Sequence, residues 1–381
     1  MKKVVLITNI PNPYRVPLFN ELNSQLKKEN IHLKIIFATK TYKRRLFQLD
    51  EKEFNFDYSY LNNEAITIGG NAENAYFSYK GLKRVLKIEQ PDLIIVSGFS
   101  SATLKVFSFS LFHKTPYLIW NGSIEKKGRK DSIIRTFQRK LLTRFAKGFI
   151  AYGTKAKSYL VGLGAHPSKV FIAINTVDTS FYDIETSKLR ATTYNDGVHH
   201  FIYLGYLVPR KNVGLLIDIA YLLKQQRSDF CIDIIGDGES KAKLESKVQE
   251  LNLCDQIKFH GFKQKNELPI YFANTEALLF QTDFDIWGLV LNEAMAAGLP
   301  CLSSIHAGAS TDLIEDRING FIVDYENKEQ VVEKINFIIE NPKKAEELGV
   351  NARDFIRKNA SLSVSANGFV KAINATLRLF V

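Results

Sequence analysis

The chain is poor in cysteine, tryptophan and methionine, with three, two and two among 381 residues. Cys231, Cys254 and Cys301 lie far apart and form no CxxC or Cys/His cluster. They indicate neither a disulfide framework nor a zinc site, and fit a reducing, cytoplasmic setting. Long apolar runs are lacking too. The opening MKKVVLIT turns polar too soon for a signal-peptide core. The most apolar stretch, 93–112, is broken by serines and Lys105, so no membrane-spanning helix is expected. What remains, 45% hydrophobic, 12% aromatic and 24% charged residues, is the composition of a globular protein and excludes disorder of the whole chain. The length points to two domains.

The net charge of +11 conceals an asymmetry. Residues 1–180 carry 29 Lys/Arg against 13 Asp/Glu, a balance of +16, whereas residues 181–381 carry 22 against 27, a balance of −5. A basic half beside a mildly acidic half implies two surfaces with different partners, one of them anionic.

Short β-rich runs at 4–8, 33–38, 93–97, 117–120, 149–152 and 170–174 alternate with amphipathic segments, the pattern of a parallel sheet wrapped by helices. The first helix, with apolar residues at 16, 18, 19, 22 and 26, follows the turn Pro11-Asn12-Pro13. A polar stretch over 181–198 has no period and reads as a linker. Beyond it, strands at 201–204, 230–235, 257–259, 277–280 and 301–303 alternate with helices at 213–223, 240–251 and 289–297. The expected organisation is an α/β chain of two Rossmann-like domains facing across a cleft, 1–180 and 199–360. A last helix over 361–381 is expected to pack back on the first domain. Ligands of open α/β sheets bind at the carboxyl ends of the strands, and the function is sought there.

The most informative stretch is DFDIWGLVLNEAMAAGLP over 283–300. Asp285 falls on a loop before a helix, and Glu293 on the second turn of that helix. The amides of Gly288, Leu289 and Val290 then point from the helix N-terminus toward a diphosphate. A carboxylate at such a site repels phosphate but accepts hydrogen bonds from sugar hydroxyls. The plain alternative makes Asp285 a cap and Glu293 a solvated charge. Asp283-Phe-Asp285 also matches a metal-holding DxD triplet, but a loop ahead of a phosphate-facing helix is the wrong setting for it. Gly236-Asp-Gly238 is an incomplete GxGxxG, which argues against a dehydrogenase. The run 126–147 holds nine Lys/Arg, with apolar residues at 133, 134, 137, 141, 142 and 145. This basic amphipathic helix is either an ordinary domain helix or a surface for anionic lipid headgroups or a phosphate-linked acceptor. No nucleic-acid reader motif accompanies it.

The segment 285–300 resembles the E-x7-E segment of the retaining family-4 glycosyltransferases of GT-B fold, of the bacterial surface-glycan type, with Asp in place of the first Glu. YLGYLVPRKNV from 203, IIGDGE from 234, KFHGF from 258 and NGFIV from 319 resemble further family segments in order, and TNIPNPYRVPLF from 8 resembles the opening loop of some members. The resemblance implies that Glu293 binds the nucleotide ribose and that Asp285 touches the transferred sugar. It makes Lys211 and Arg210 the cations that offset the leaving diphosphate, and Gly261 and Phe262 the bounds of the base pocket. Tyr206 stands where the family usually has an arginine. Asn121 stands near the family's histidine position and cannot act as a base. Asn12, Tyr14 and Arg15, in the opening loop, face the cleft on the acceptor side, where they meet either the diphosphate or the acceptor.

The implied activity is retaining transfer of a sugar, of the hexosyltransferase class, from a UDP- or GDP-linked donor to a glycan or lipid-linked saccharide. Neither metal nor cofactor takes part beyond the nucleotide-sugar co-substrate. The implied setting is cytoplasmic, at the inner face of the cell membrane, with no nucleic-acid partner. An epimerase or phosphorylase of the same fold, and a non-catalytic glycan- or membrane-binding module, remain as alternatives.

Overall fold

The computed structural model describes residues 1–41, 49–63, 65–67, 75–125, 132–190 and 197–378. The chain divides into two compact units: Met1–Val177 with Leu362–Val381, and Asp178–Ser361.

The first unit is built on β1 (Lys2–Thr8), β2 (Ile31–Phe37), β3 (Asp57–Tyr60), β6 (Leu93–Ser97), β7 (Tyr117–Asn121), β8 (Gly148–Ala151) and β9 (Val170–Ile172), with a small antiparallel hairpin of β4 (Ala65–Thr67) and β5 (Ala75–Phe77) inserted. The seven larger strands form one parallel sheet in the order β3-β2-β1-β6-β7-β8-β9. Val4 to Ile7 are fully buried, because helices cover both faces and every side chain of a central strand must be apolar. Helix Val16–Lys28 turns Val16, Phe19, Leu22 and Leu26 to the core and closes with Lys27 and Lys28 against the helix dipole. Strand β3 and the hairpin have no counterpart in the apolar runs, since DYSY and its neighbours are polar and aromatic.

The second unit holds β10 (His199–Leu204), β11 (Phe230–Ile235), β12 (Ile257–Gly261), β13 (Ala277–Phe280), β14 (Cys301–Ser304) and β15 (Gly320–Val323), all parallel in the order β12-β11-β10-β13-β14-β15. This is the doubly wound order, with its switch point between β10 and β13.

One expectation changes. The stretch read as a linker carries helix Thr179–Arg190, which packs on helices Leu268–Ala273 and Leu289–Ala296 within the second unit. Its buried face, Thr179, Tyr182 and Thr186, recurs at helical spacing but is made of hydroxyl-bearing residues, so hydropathy does not register it. The rest of that stretch, 191–196, lies outside the described residues. The basic helix runs over Ile133–Phe145, and positions 126–131 also lie outside them.

Helix Leu362–Leu377 lies on helix Val16–Lys28 and on β8 and β9 of the first unit. Gly368 permits the contact: a Cβ there would meet the Ile172 carbonyl oxygen at 2.4 Å. Phe369 is fully buried and meets the Trp120 ring edge-on at 5.1 Å. The two tryptophans fall one in each unit, Trp120 and Trp287. In a Trp287→Phe background, Phe369→Ala is expected to lower the stability reported by Trp120 fluorescence in urea by about 3–5 kcal/mol. An unchanged midpoint would mean that this helix adds little to the first unit.

Candidate functional site

In the second unit the loops after β10 and β13 meet. Strand β10 ends at Leu204, and the chain passes Gly205 and Tyr206 into a single 3-10 turn, Pro209–Lys211. The Lys211 ammonium is almost entirely buried and lies 2.6 Å from Asp285 Oδ2 and 4.8 Å from the centroid of the Phe280 ring. Burial opposes the charge of Asp285, but Lys211, with Arg210 nearby, holds its carboxyl below the ordinary aspartate value. The backbone N–H of Trp287 donates to Asp285 Oδ1 at 3.4 Å, and the Trp287 indole donates to Asn292 at 2.9 Å. Arg210 donates to the Phe284 carbonyl, and the Asp283 amide donates back to the Arg210 carbonyl.

Gly288 stands at the start of helix Leu289–Ala296 with φ +105, and a Cβ there would sit 2.5 Å from the Phe280 ring. Glycine is therefore required twice, for the backbone angle and for the space. Leu289 and Val290 follow, and by helix geometry the first amides have no acceptor within the helix. Lys211, Arg210, Asp285 and Gly288 thus come together around one helix N-terminus. The two carboxylates of the DxD triplet face protein donors: Asp285 accepts from Lys211, and Asp283 accepts from Gln281 and Asn212.

Glu293 is half-buried on that helix, and its partners are the Tyr182 hydroxyl and the charge of Lys265. Burial pushes its carboxyl up to about 7, against the smaller opposing pull of Tyr182 and Lys265. Lys265 itself pairs with Asp178 at 3.2 Å. Tyr182 went unnoticed in the sequence because it lies in the stretch read as a linker.

Gly261 ends β12 with φ +68, and its carbonyl accepts from the Gly236 amide at 2.9 Å. The Phe262 ring beside it is exposed. The carbonyl of Tyr206 accepts from the Tyr203 hydroxyl at 3.4 Å.

Asp233 on β11 receives His200 Nδ1 at 2.9 Å on one oxygen and His260 Nε2 at 2.6 Å on the other. His200 on β10 and Cys231 and Asp233, two residues apart on β11, bring one donor atom each within 4.8 Å of one another. With both carboxylate oxygens engaged by imidazoles, the group is a closed hydrogen-bonded network.

In the first unit the Asn12 carbonyl accepts from the amides of Arg15 and Val16, a turn that delivers Arg15 to the start of helix Val16–Lys28. The Arg15 guanidinium is buried over the rings of Trp120, Tyr152 and Tyr14 at 4.4, 4.9 and 5.1 Å, and hydrogen-bonds the Tyr152 hydroxyl. Among the described residues it has no carboxylate partner. Asn12 is buried with its side-chain oxygen unpartnered, and Asn121 is buried at the end of β7. Trp120 and Tyr152 were not anticipated, since the sequence offers no sign that aromatic strand ends and Arg15 converge.

By fold the chain is of the GT-B class, two parallel-sheet α/β domains. The structure of Anabaena Alr3699/HepE solved in complex with UDP has a TM-score of 0.77 to it at 19% identity, over 98% of this chain and 100% of that one. Residues 186–355 match the family Glycosyl transferases group 1. An uncharacterized glycosyltransferase of Methanocaldococcus jannaschii is 30% identical over 166 residues, 43% of this chain and 45% of that protein. The amylovoran biosynthesis glycosyltransferase AmsK of Erwinia amylovora is 30% identical over 172 residues, 43% of this chain and 40% of its own. The chain therefore matches less than half the length of these relatives.

Two stability measurements follow from the site. Asp285→Asn removes the carboxylate charge that faces the buried Lys211 ammonium, and a loss of roughly 3–5 kcal/mol is expected in chemical denaturation. Glu293 binds its proton more tightly in the folded than in the unfolded chain, so its contribution to stability declines as pH rises from about 4.5 to about 7. Glu293→Gln should flatten that decline, and an identical pH profile for both proteins would remove the assignment.

Proposed function

We propose that the protein is a retaining glycosyltransferase that moves a hexosyl group from a UDP- or GDP-linked donor onto a glycan or lipid-linked saccharide. The observation that carries this reading is the Lys211–Asp285 pair at the N-terminus of helix Leu289–Ala296, with Glu293 five residues into that helix, inside the region that matches the family.

The chemistry follows from the side chains. Cleaving a nucleotide-sugar bond loads negative charge on the departing diphosphate, and the amides of Gly288, Leu289 and Val290 with Lys211 and Arg210 offset it without rearranging as the charge develops. Asp285, held ionised by Lys211, accepts from hydroxyls of the transferred sugar and keeps Lys211 in place. Glu293 accepts from the ribose, while Gly261 and Phe262 bound the base and Tyr206 adjoins the donor. Asn12, Tyr14, Arg15 and Asn121 line the acceptor side. The protein's part is to orient two substrates and to stabilise the leaving group, without a metal or a further cofactor.

The acceptor and its membrane setting rest on the first unit. Ile133, Ile134 and Phe137 on helix Ile133–Phe145 and Phe112 on helix Ser101–His113 are strongly exposed, and Phe107 and Phe145 join the two helices at 5.1 Å. No described helix is long and apolar enough to cross a membrane. An apolar patch among basic residues suits the surface of an anionic bilayer.

Thermal unfolding with UDP, GDP, ADP and their sugar conjugates, with and without chelator, tests the donor class. A shift of a few degrees with one nucleotide, unchanged by chelator, is expected. Glu293→Ala should mainly weaken nucleotide binding, and Lys211→Ala should mainly lower turnover. Wild-type kinetics in both variants, or no shift with any nucleotide, would overturn the reading. Binding also has a proton signature. Ribose hydroxyls that donate to Glu293 favour its ionised form, so nucleotide binding near pH 6 should release a proton, detected as buffer-dependent heat.

A further inference from the structure

The second half of helix Ile133–Phe145 borders a surface pocket of about 370 Å³ in the first unit, formed with the turn that precedes β9. Its wall carries Lys140 and Arg144 from the helix and His166 and Lys169 from the turn, and no carboxylate among the described residues lines it. Among the described residues, the side chains of Lys140, Arg144 and Lys169 have no ion-pair or hydrogen-bond partner, and His166 bonds to the hydroxyl of Ser168. Surface lysines and arginines are ordinarily dispersed or balanced by acids. Here three unbalanced cations border one cavity.

A second observation comes from the same wall. Thr143 lines the pocket and is only 3% exposed, and its hydroxyl has no hydrogen-bond partner. A helical threonine usually satisfies its hydroxyl on the carbonyl four residues back. A buried hydroxyl left without a partner is a donor awaiting an acceptor, and the cations around it decide that the acceptor is anionic.

The helix also suggests where that anion comes from. Ile133, Phe137, Lys140 and Arg144 are spaced by four, three and four residues and form one stripe along the helix. The first two are exposed apolar side chains at 88% and 68%, and the last two face the pocket. At 1.5 Å per residue, Phe137 lies only about 10 Å along the axis from Arg144. A phosphate held at the pocket therefore has apolar side chains within one headgroup's reach, the arrangement expected of an amphiphile and not of a free ion.

We propose that this pocket binds the phosphate of an anionic phospholipid headgroup, with the Arg144 fork, the Lys140 and Lys169 ammoniums and the Thr143 hydroxyl as donors, while Ile133 and Phe137 enter the acyl boundary. The proposal deepens the membrane part of the function given above and rests on it for the lipid source. Its readout needs no sugar transfer, so failure of the glycosyltransferase reading and failure of the pocket are separable.

The test is vesicle co-sedimentation of the full chain at fixed ionic strength. Phosphatidylcholine vesicles with a third phosphatidylglycerol are compared with vesicles given the same surface charge by oleate. Thr143→Val and Arg144→Lys preserve the charge, and their thermal midpoints are compared with the wild type to show that they fold. Tighter binding to the phosphatidylglycerol vesicles is expected, with each variant weakened about three- to tenfold there and unchanged on oleate. Equal binding to both vesicle types, or variants that bind as the wild type, would reduce the helix to a diffuse basic surface and overturn the pocket. If inorganic phosphate protects the protein thermally in a Thr143-dependent way while no vesicle binds, the lipid source is overturned in favour of a soluble phosphate. A Phe137→Ser variant that binds vesicles as well as the wild type would likewise overturn the lipid source.

Discussion

One buried ammonium organises the loops of the second unit. Lys211 has almost no contact with water, and an unpaired charge in that position would be prohibitively costly, so the structure surrounds it with groups that answer the charge. Asp285 supplies the formal counter-charge and Phe280 the electron-rich face of its ring. Each brings a further constraint. The Phe280 ring occupies the space of a side chain at 288, so that position is a glycine and helix Leu289–Ala296 starts directly behind it. Asp285 in turn accepts from the Trp287 amide, and the indole of Trp287 reaches Asn292 inside the helix. The chain from 280 to 292 takes its shape from that one cation.

Buried cations in the two units are stabilised by different means. Lys211 is a compact charge and takes a carboxylate at 2.6 Å. Arg15 spreads its charge over a plane and is held by the faces of Trp120, Tyr152 and Tyr14, with a phenol as its hydrogen-bonding neighbour. Burial raises the Tyr152 phenol, against the opposing influence of Arg15, so this neighbour stays neutral. A guanidinium among neutral rings keeps its charge uncancelled, whereas that of Lys211 is matched. The first can draw in an anion, while the second gives up part of an existing bond to do so.

The strands were legible wherever burial on both faces forces a continuous apolar run. Val4 to Ile7 and the parallel strands of both units fall close to where their Val, Ile, Leu and Phe clusters lie. β3 escaped because DYSY has no such run, and helix Thr179–Arg190 because its buried stripe is threonine and tyrosine. The motif around Asp285 disclosed a loop, a glycine and a helix start in the right order, since each is a local property of the chain. The encounters of Lys211 with Asp285, Tyr182 with Glu293 and Arg15 with Trp120 join residues 74, 111 and 105 positions apart. Such meetings are set by which strands and helices become neighbours in the fold, and no spacing along the chain encodes them.

Helix Leu362–Leu377 gives the molecule a schedule as well as a shape. The first unit's core includes Phe369 and Ile373, yet the whole of Asp178–Ser361 is synthesised between β9 and that helix. On the ribosome the second unit has all of its own sequence before the first can close its core, although domains otherwise tend to fold in the order in which they emerge. Until then helix Val16–Lys28 leaves apolar surface uncovered, and the nascent chain carries a sticky, unfinished domain through nearly half of its translation. A chaperone that recognises exposed apolar helix faces would find its longest-lived target there, at the beginning of the protein and not at the end most recently made.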